Sequence, residues 1–200
     1  MLRVREDEPG AFEELVERFQ QRLVSVMTHL VGRGHEAEDL SQDVFLRVYQ
    51  ARKRYHPQSR FSTWLFTIAN NLALNHLRSR QRKSAVPIQS TSESGSHMEL
   101  FSNKALHDPG TGPMQKIQKN ELAERIQSAL SSLGEKQRMA VILNKFEDMS
   151  YAEIAEVMGM TVKAVKSLLS RARVNLRTAL SEYIFMDGDS APASSPGEED

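Results

Sequence analysis

The 200-residue sequence predicts an all-α protein made of two small helical domains joined by a flexible linker. Apolar residues recur at the three- and four-residue spacing of amphipathic helices in both halves, and nothing in the first eighty residues alternates like a strand. Residues 85–116 lose this periodicity and are rich in Ser, Gly and Pro, a composition typical of linkers. The predicted domains are therefore 1–84 and 117–184, followed by a disordered acidic tail over 185–200.

Three helices are predicted in the first domain. Apolar stripes run through residues 12–30, 37–48 and 65–77, and Gly32 ends the first helix. Three helices with matching stripes can bury one common core. The linker that follows has a relaxed span of about 30 Å, so the two domains need not touch each other.

The second domain ends in a predicted helix-turn-helix. Ser150 and Glu153 have the spacing of a capping box at the start of a short helix. Gly159 supplies a left-handed turn, and Thr161 caps a longer basic helix that runs to about residue 180. In this motif the second helix enters the major groove of DNA, and its outward-facing Lys, Arg and Ser side chains reach bases and phosphates.

Charge is segregated along the chain although the formal net charge is zero. No Asp or Glu occurs from Val44 to Ser92, so nothing in that stretch repels a polyanion. The same stretch contains FSTWLFTIANNLALNHLR, which combines aromatic rings and amides beside arginines, a mixture that suits single-stranded DNA. Trp64 has two interpretations here, a core residue or a ring that stacks on bases.

Composition excludes several other classes of function. The chain has no cysteine, which excludes disulfides, thiolate zinc sites and a cysteine nucleophile. The N-terminus has no apolar signal core, and no run reaches the roughly 18 apolar residues of a membrane span, so we expect a cytoplasmic protein without membrane insertion. No catalytic group, metal site or cofactor site is predicted. A DNA-processing enzyme such as a recombinase is an alternative class, but it needs an activated nucleophile or convergent carboxylates for metal ions.

Three segments in order, EDLSQDVFLRVY, FSTWLFTIANNLALNHLR and SYAEIAEVMGMTVKAVKSLLSRARVNL, resemble regions 2 and 4 of bacterial sigma factors of the extracytoplasmic-function (ECF) group. The resemblance implies a region 2 bundle of three to four helices in residues 1–84 and a region 4 helix-turn-helix in residues 117–184. It also implies a promoter-specificity subunit that docks on RNA polymerase core and performs no covalent chemistry. The alternative is a helix-turn-helix regulator that binds duplex DNA without polymerase.

The resemblance implies three sets of site residues. The polymerase set consists of Asp39, Gln42 and Asp43 and would meet the coiled coil of the beta-prime clamp. Region 4 would meet the beta flap. The minus-ten set would capture a flipped base and read that element, and it consists of Tyr55, Ser59, Arg60, Phe61, Asn75 and Arg78. The minus-35 set would lie in the major groove, and it consists of Thr161, Lys163, Lys166, Ser167, Ser170, Arg171 and Arg173.

The resemblance also implies a protein partner besides polymerase. Sigma factors of this group are usually held inactive by a dedicated anti-sigma factor, so we expect one here. Many relatives carry Asp near the position of Asn75, so the minus-ten base preference is not implied by the resemblance.

Overall fold

The computed structural model describes residues 1–32, 35–84 and 113–187. These residues form eight α-helices and one 3₁₀ turn with no strand among them, which confirms the all-α prediction. The predicted acidic tail and most of the predicted linker lie outside the described residues. No helix in the described part of the chain is long and apolar enough to cross a membrane.

The first domain is a bundle of three long helices with a short N-terminal helix. The helices are α1 (Leu2–Arg5), α2 (Ala11–Val31), α3 (His35–Gln50) and α4 (Phe61–Ser84), and the 3₁₀ turn Arg52–Arg54 follows α3. Leu23, Val44 and Leu65, one from each long helix, have no exposed surface. The three predicted stripes therefore form one core, whereas α1 and the 3₁₀ turn were not predicted.

The second domain consists of α5 (Pro113–Ser131), α6 (Glu135–Lys145), α7 (Tyr151–Met158) and α8 (Val162–Asp187). All four helices contribute to its core: Ile142, Ile154 and Val165 of the last three have no exposed surface, and Leu130 of α5 is 3% exposed. Helix α5 begins earlier than the predicted domain boundary at residue 117.

The helix-turn-helix has the local geometry that its sequence predicts. The backbone N–H of Glu153 donates to Ser150 Oγ (3.3 Å), and the N–H of Ser150 donates to Glu153 Oε2 (2.9 Å), so the capping box is complete. Gly159 turns the chain with φ +61°, a conformation that disfavours side chains. Thr161 Oγ1 accepts the N–H of Ala164 at 3.2 Å and caps α8.

The two domains pack against each other, although the linker would let them stay apart. Arg138 Nη1 on α6 donates to the carbonyl of Leu30 at the end of α2 (2.9 Å). Arg22 Nε on α2 donates to Glu147 Oε2 (3.0 Å), and the Glu147 side chain is only 3% exposed. Linker length limits how far domains can separate but does not set their affinity, which depends on surface complementarity that a sequence pattern does not reveal.

Candidate nucleic-acid interface

The resemblance to the ECF group implies a minus-ten loop from Arg54 to Phe61, and an aromatic cluster anchors it near both ends. Tyr55 lies at the start of the loop and is buried, with its ring 5.0 Å from Trp64 in an edge-to-face arrangement. Phe61 ends the loop and packs against Trp64 (5.9 Å) and Phe19 of α2 (5.0 Å). Burial raises the pKa of Tyr55. Trp64 therefore packs against the core, as one of its two interpretations predicts. Tyr55 holds the start of the loop, and a contact of its ring with DNA stays a prediction.

Between these anchors, the loop presents polar and cationic groups to solvent. Arg60 is exposed, and Ser59 is half-buried. Farther along α4, Asn75 and Arg78 are also exposed and line a shallow open cleft of about 520 Å³ together with Arg82. The structure therefore brings an amide, a hydroxyl and several cations to the loop and the outer surface of α4.

Helix α8 presents the predicted minus-35 residues on its solvent side. Val165, Leu169 and Ala172 face the core, and the predicted set lies exposed, namely Thr161, Lys163, Lys166, Ser167, Ser170, Arg171 and Arg173. Arg173 Nη2 donates to the hydroxyl of Tyr151 on α7 at 3.1 Å, which links the two helices of the motif. The hydroxyl of Thr161 accepts a bond from the α8 backbone, so its first role is a cap.

The predicted polymerase residues Asp39, Gln42 and Asp43 are exposed on α3. Sequence reasoning missed two apolar neighbours that follow Gln42 at helical spacing, Leu46 (54% exposed) and Tyr49 (42% exposed). The missed signal was that both residues fall outside the buried stripe of α3. Exposed apolar patches rimmed by polar residues occur at protein-binding faces.

Comparisons with known proteins assign the family. Residues 15–83 match the model described as sigma-70 region 2, and residues 123–176 match the model described as sigma-70, region 4. The RNA polymerase sigma-H factor of Pseudomonas aeruginosa is 33% identical over 91% of this chain and 92% of its own length. The chain belongs to the sigma-70 family of RNA polymerase sigma factors.

Other relatives place this sigma factor in the ECF group. The ECF RNA polymerase sigma-E factor of Escherichia coli K12 is 32% identical over 86% of this chain and 87% of its own length. The ECF factor SigW of Bacillus subtilis is 27% identical over 90% of this chain and 94% of its own length. The chain is therefore a sigma factor that acts in promoter-directed transcription initiation, as the sequence predicted.

A solved structure supports the same assignment. The sigma factor RpoE of Bartonella quintana, solved in complex with the anti-sigma factor NepR, is 25% identical and has a TM-score of 0.63. The likeness covers 86% of this chain and 98% of that chain.

Among the described residues of this sigma factor, no group of three or more His, Asp or Glu side chains is placed to hold a metal ion.

In this sigma factor, region 4 covers the polar face of α4. Thr63, Asn70 and Gln81 share one side of α4 by the 3.6-residue period, and Gln81 Nε2 donates to Glu135 Oε1 of α6 at 3.0 Å. Thr63 and Asn70 are buried, and Thr63 Oγ1 and Asn70 Oδ1 have no hydrogen-bond partner within the described part of the chain. Arg60 pairs with Glu153 of α7 at 3.3 Å. One predicted minus-ten residue thus contacts the helix-turn-helix.

Proposed function

We propose that this sigma factor binds RNA polymerase core and divides promoter recognition between its two domains. Region 2 reads and opens the minus-ten element, and region 4 holds the minus-35 element as duplex. The observation that carries the proposal is the presence, in one chain, of an acid-free loop and helix beside a separate helix-turn-helix with a basic outer face. The chain performs no covalent step and needs no cofactor in this proposal.

Region 2 supplies the groups that open DNA strands. Ser59 and Asn75 hydrogen-bond the edges of unpaired bases, while Arg60 and Arg78 pair with phosphates. Flipping a base costs a few kcal/mol of lost stacking and pairing, and contacts in the loop return that free energy. Strand opening is then driven by binding. The aromatic anchors at Tyr55 and Phe61 hold the loop in one shape, which reduces the entropy lost on binding.

Region 4 supplies groups for the major groove. Lys163, Lys166 and Ser167 lie near the N-terminal end of α8, the part that faces bases in this motif. Ser170 lies one turn farther along and also has access to bases. Arg171 and Arg173 lie beyond the first turns and meet phosphates, which fix the register of the helix on DNA.

Polymerase docks on the exposed side of α3 in this proposal. Asp39 and Asp43 lie one helical turn apart and offer two carboxylates to the coiled coil of the beta-prime clamp, with Gln42 between them. Leu46 adds an apolar contact to the same face. Region 4 meets the beta flap.

An anti-sigma factor is the second protein partner that we propose. Support comes from the related sigma factor RpoE, whose structure was solved with the anti-sigma factor NepR. A groove of about 1560 Å³ is the proposed site, and it is lined by Gln42 and Leu46 from region 2 and by Ile126 and Phe146 from region 4. A partner in this groove would contact both domains and cover part of the polymerase face.

Transcription by purified core polymerase, with and without this chain, tests the proposal. With the chain present, we expect RNA start sites that share two upstream motifs. Asn75→Ala should relax discrimination at the proximal motif and Lys166→Ala should weaken the distal motif, each by about 1 to 3 kcal/mol. Lys145→Ala removes a comparable exposed charge from α6 and serves as the control.

Three results would contradict parts of this proposal. If the chain does not add start sites to core polymerase, the assignment of promoter selection fails. Equal losses at both motifs from either substitution would contradict the division of labour. Tight, sequence-specific binding of the pure chain to duplex DNA without polymerase would favour the stand-alone regulator instead.

A further inference from the structure

The N-terminal residues make a dense set of contacts with the 3₁₀ turn that precedes the minus-ten loop. Asp7 Oδ1 accepts a hydrogen bond from Arg52 Nε (2.8 Å), and Asp7 Oδ2 pairs with Lys53. Lys53 Nζ also donates to the carbonyl of Arg5 at 2.7 Å. One carboxylate thus holds two consecutive cations of the turn.

The segment that carries Asp7 is itself fixed to the bundle. Val4 of α1 is 2% exposed and packs in the core. Arg3 of α1 donates to Glu8 (2.9 and 2.7 Å), which lies between α1 and α2, and to Glu14 of α2 (2.7 Å), so these bonds span the segment that carries Asp7. Asp7 adopts φ +56°, a conformation that Asp tolerates better than most residues. The carboxylate is therefore presented from a firm base.

These contacts reach the loop itself. Tyr55 follows the 3₁₀ turn directly, and its carbonyl accepts a hydrogen bond from Arg5 Nη1 at 3.4 Å. The Tyr55 ring in turn packs on Trp64. Arg52 also lies over the ring of Tyr49, with its Cζ 4.0 Å from the ring centroid. The start of the loop is thus held from the N-terminus, while Phe61 holds its end.

The same contacts change the charge that region 2 offers to DNA. Arg52 and Lys53 belong to the acid-free stretch from Val44 to Ser92, and both form ion pairs with Asp7. Pairing with Lys53 and Arg52 lowers the pKa of Asp7, so the carboxylate is ionised at neutral pH. Farther along region 2, Arg78 of α4 is exposed at the open cleft, whereas Arg60 pairs with Glu153 of region 4.

We infer that Asp7 is a positioning residue for the minus-ten loop: it fixes the turn that leads into the loop and withholds two cations from DNA. The inference rests on the proposed role of that loop in promoter recognition. Without Asp7, the loop would start from a looser turn, and Arg52 and Lys53 would bind phosphates at any sequence. Affinity for DNA would then rise while discrimination falls.

The first test needs only the purified full-length chain. Trp64 is the only tryptophan, and it touches Tyr55, so its fluorescence reports how the loop begins. Asp7→Asn should increase acrylamide quenching of Trp64 by a measurable factor at unchanged melting temperature. Glu17→Gln makes the same charge change at an exposed site on α2 and should leave quenching at the wild-type value. Equal quenching in all three proteins would overturn the positioning role.

The second test uses holoenzyme on promoters with an intact or an altered minus-ten element. Asp7→Asn should reduce several-fold the ratio of open complexes on the intact promoter to open complexes on the altered promoter. It should also steepen the slope of log affinity against log salt by about 1 to 2, because each freed cation adds about 0.7 to 0.9. Adding Lys53→Gln to Asp7→Asn should reverse about half of that increase in slope.

The outcomes separate the two proposals. An unchanged ratio and an unchanged salt slope in Asp7→Asn would overturn the inference about Asp7. If the wild-type holoenzyme itself does not distinguish the two promoters, the proposed function of the loop fails. In that case the quenching comparison still decides whether Asp7 positions the turn.

Discussion

Replacing Arg138 with Met should loosen the contact between regions 2 and 4. The Arg138 guanidinium donates to the carbonyl of Leu30 in region 2, to the carbonyl of Ser131 at the end of α5 (2.8 Å) and to that of Leu133 between α5 and α6 (3.2 Å). It is therefore a bridge between the domains. Met keeps most of the aliphatic bulk and removes the donors of all three hydrogen bonds.

The magnitude follows from the one hydrogen bond of Arg138 that crosses the interface between the domains. A hydrogen bond from a charged donor contributes about 1.5 to 3 kcal/mol. Burial lowers the pKa of Arg138, which shows that desolvation of the cation offsets part of this contribution. A net loss of about 1 to 2 kcal/mol at the interface would raise the equilibrium constant for domain separation about five- to thirtyfold.

Distance measurements between two labels test this prediction. The chain has no cysteine, so cysteines introduced at the exposed Glu17 of α2 and Glu156 of α7 would carry labels at unique sites. Arg138→Met should shift the distance distribution toward longer values, and Lys136→Met on the same helix should not. An unchanged distribution together with a lower melting temperature would refute the reasoning, because it would assign Arg138 to the α5–α6 contact alone.

Three further predictions concern other parts of the chain. Burial raises the pKa of Glu147 above its ordinary 4.5, so the stability that this group contributes at low pH is lost as pH rises through the raised pKa. In thermal unfolding, the melting temperature of Glu147→Gln relative to that of wild type should therefore rise between pH 4 and 7. A difference in melting temperature that does not change with pH would contradict this. Ser150→Ala breaks the capping box and should cost about 1 kcal/mol of unfolding free energy by denaturant titration, whereas no loss would show that Glu153 caps α7 alone. Leu46→Ala should weaken binding to core polymerase by about 1 kcal/mol in a titration, and unchanged affinity would exclude that contact.

Short-range signals in the sequence predicted the helix-turn-helix well. The capping box at Ser150, the turn at Gly159 and the cap at Thr161 all depend on neighbouring backbone groups, so a few residues define each one. The apolar stripes predicted the long helices for the same reason. Helix α1 and the 3₁₀ turn were missed because elements of four and three residues are too short to show a period.

Long-range packing could not be predicted in the same way. Tyr55 was assigned to the minus-ten set, but whether its ring faces DNA or Trp64 depends on how the loop folds back on α4. The contact between Arg138 and Leu30 joins residues far apart in the sequence, and no local pattern marks it. The exposed positions on α3 and α8 were predictable because they are the complement of a buried stripe.

Two buried oxygens beneath region 4, Thr63 Oγ1 and Asn70 Oδ1, lack a hydrogen-bond partner among the described residues and weaken the contact between the domains. Each buried acceptor without a donor costs about 1 to 3 kcal/mol, a penalty that ends when water reaches Thr63 Oγ1 and Asn70 Oδ1. Hydration of this face offsets part of the contact free energy lost on separation. The closed arrangement is therefore less stable than its contacts alone would make it, which lowers the differential affinity that a ligand needs to shift the population toward the open arrangement.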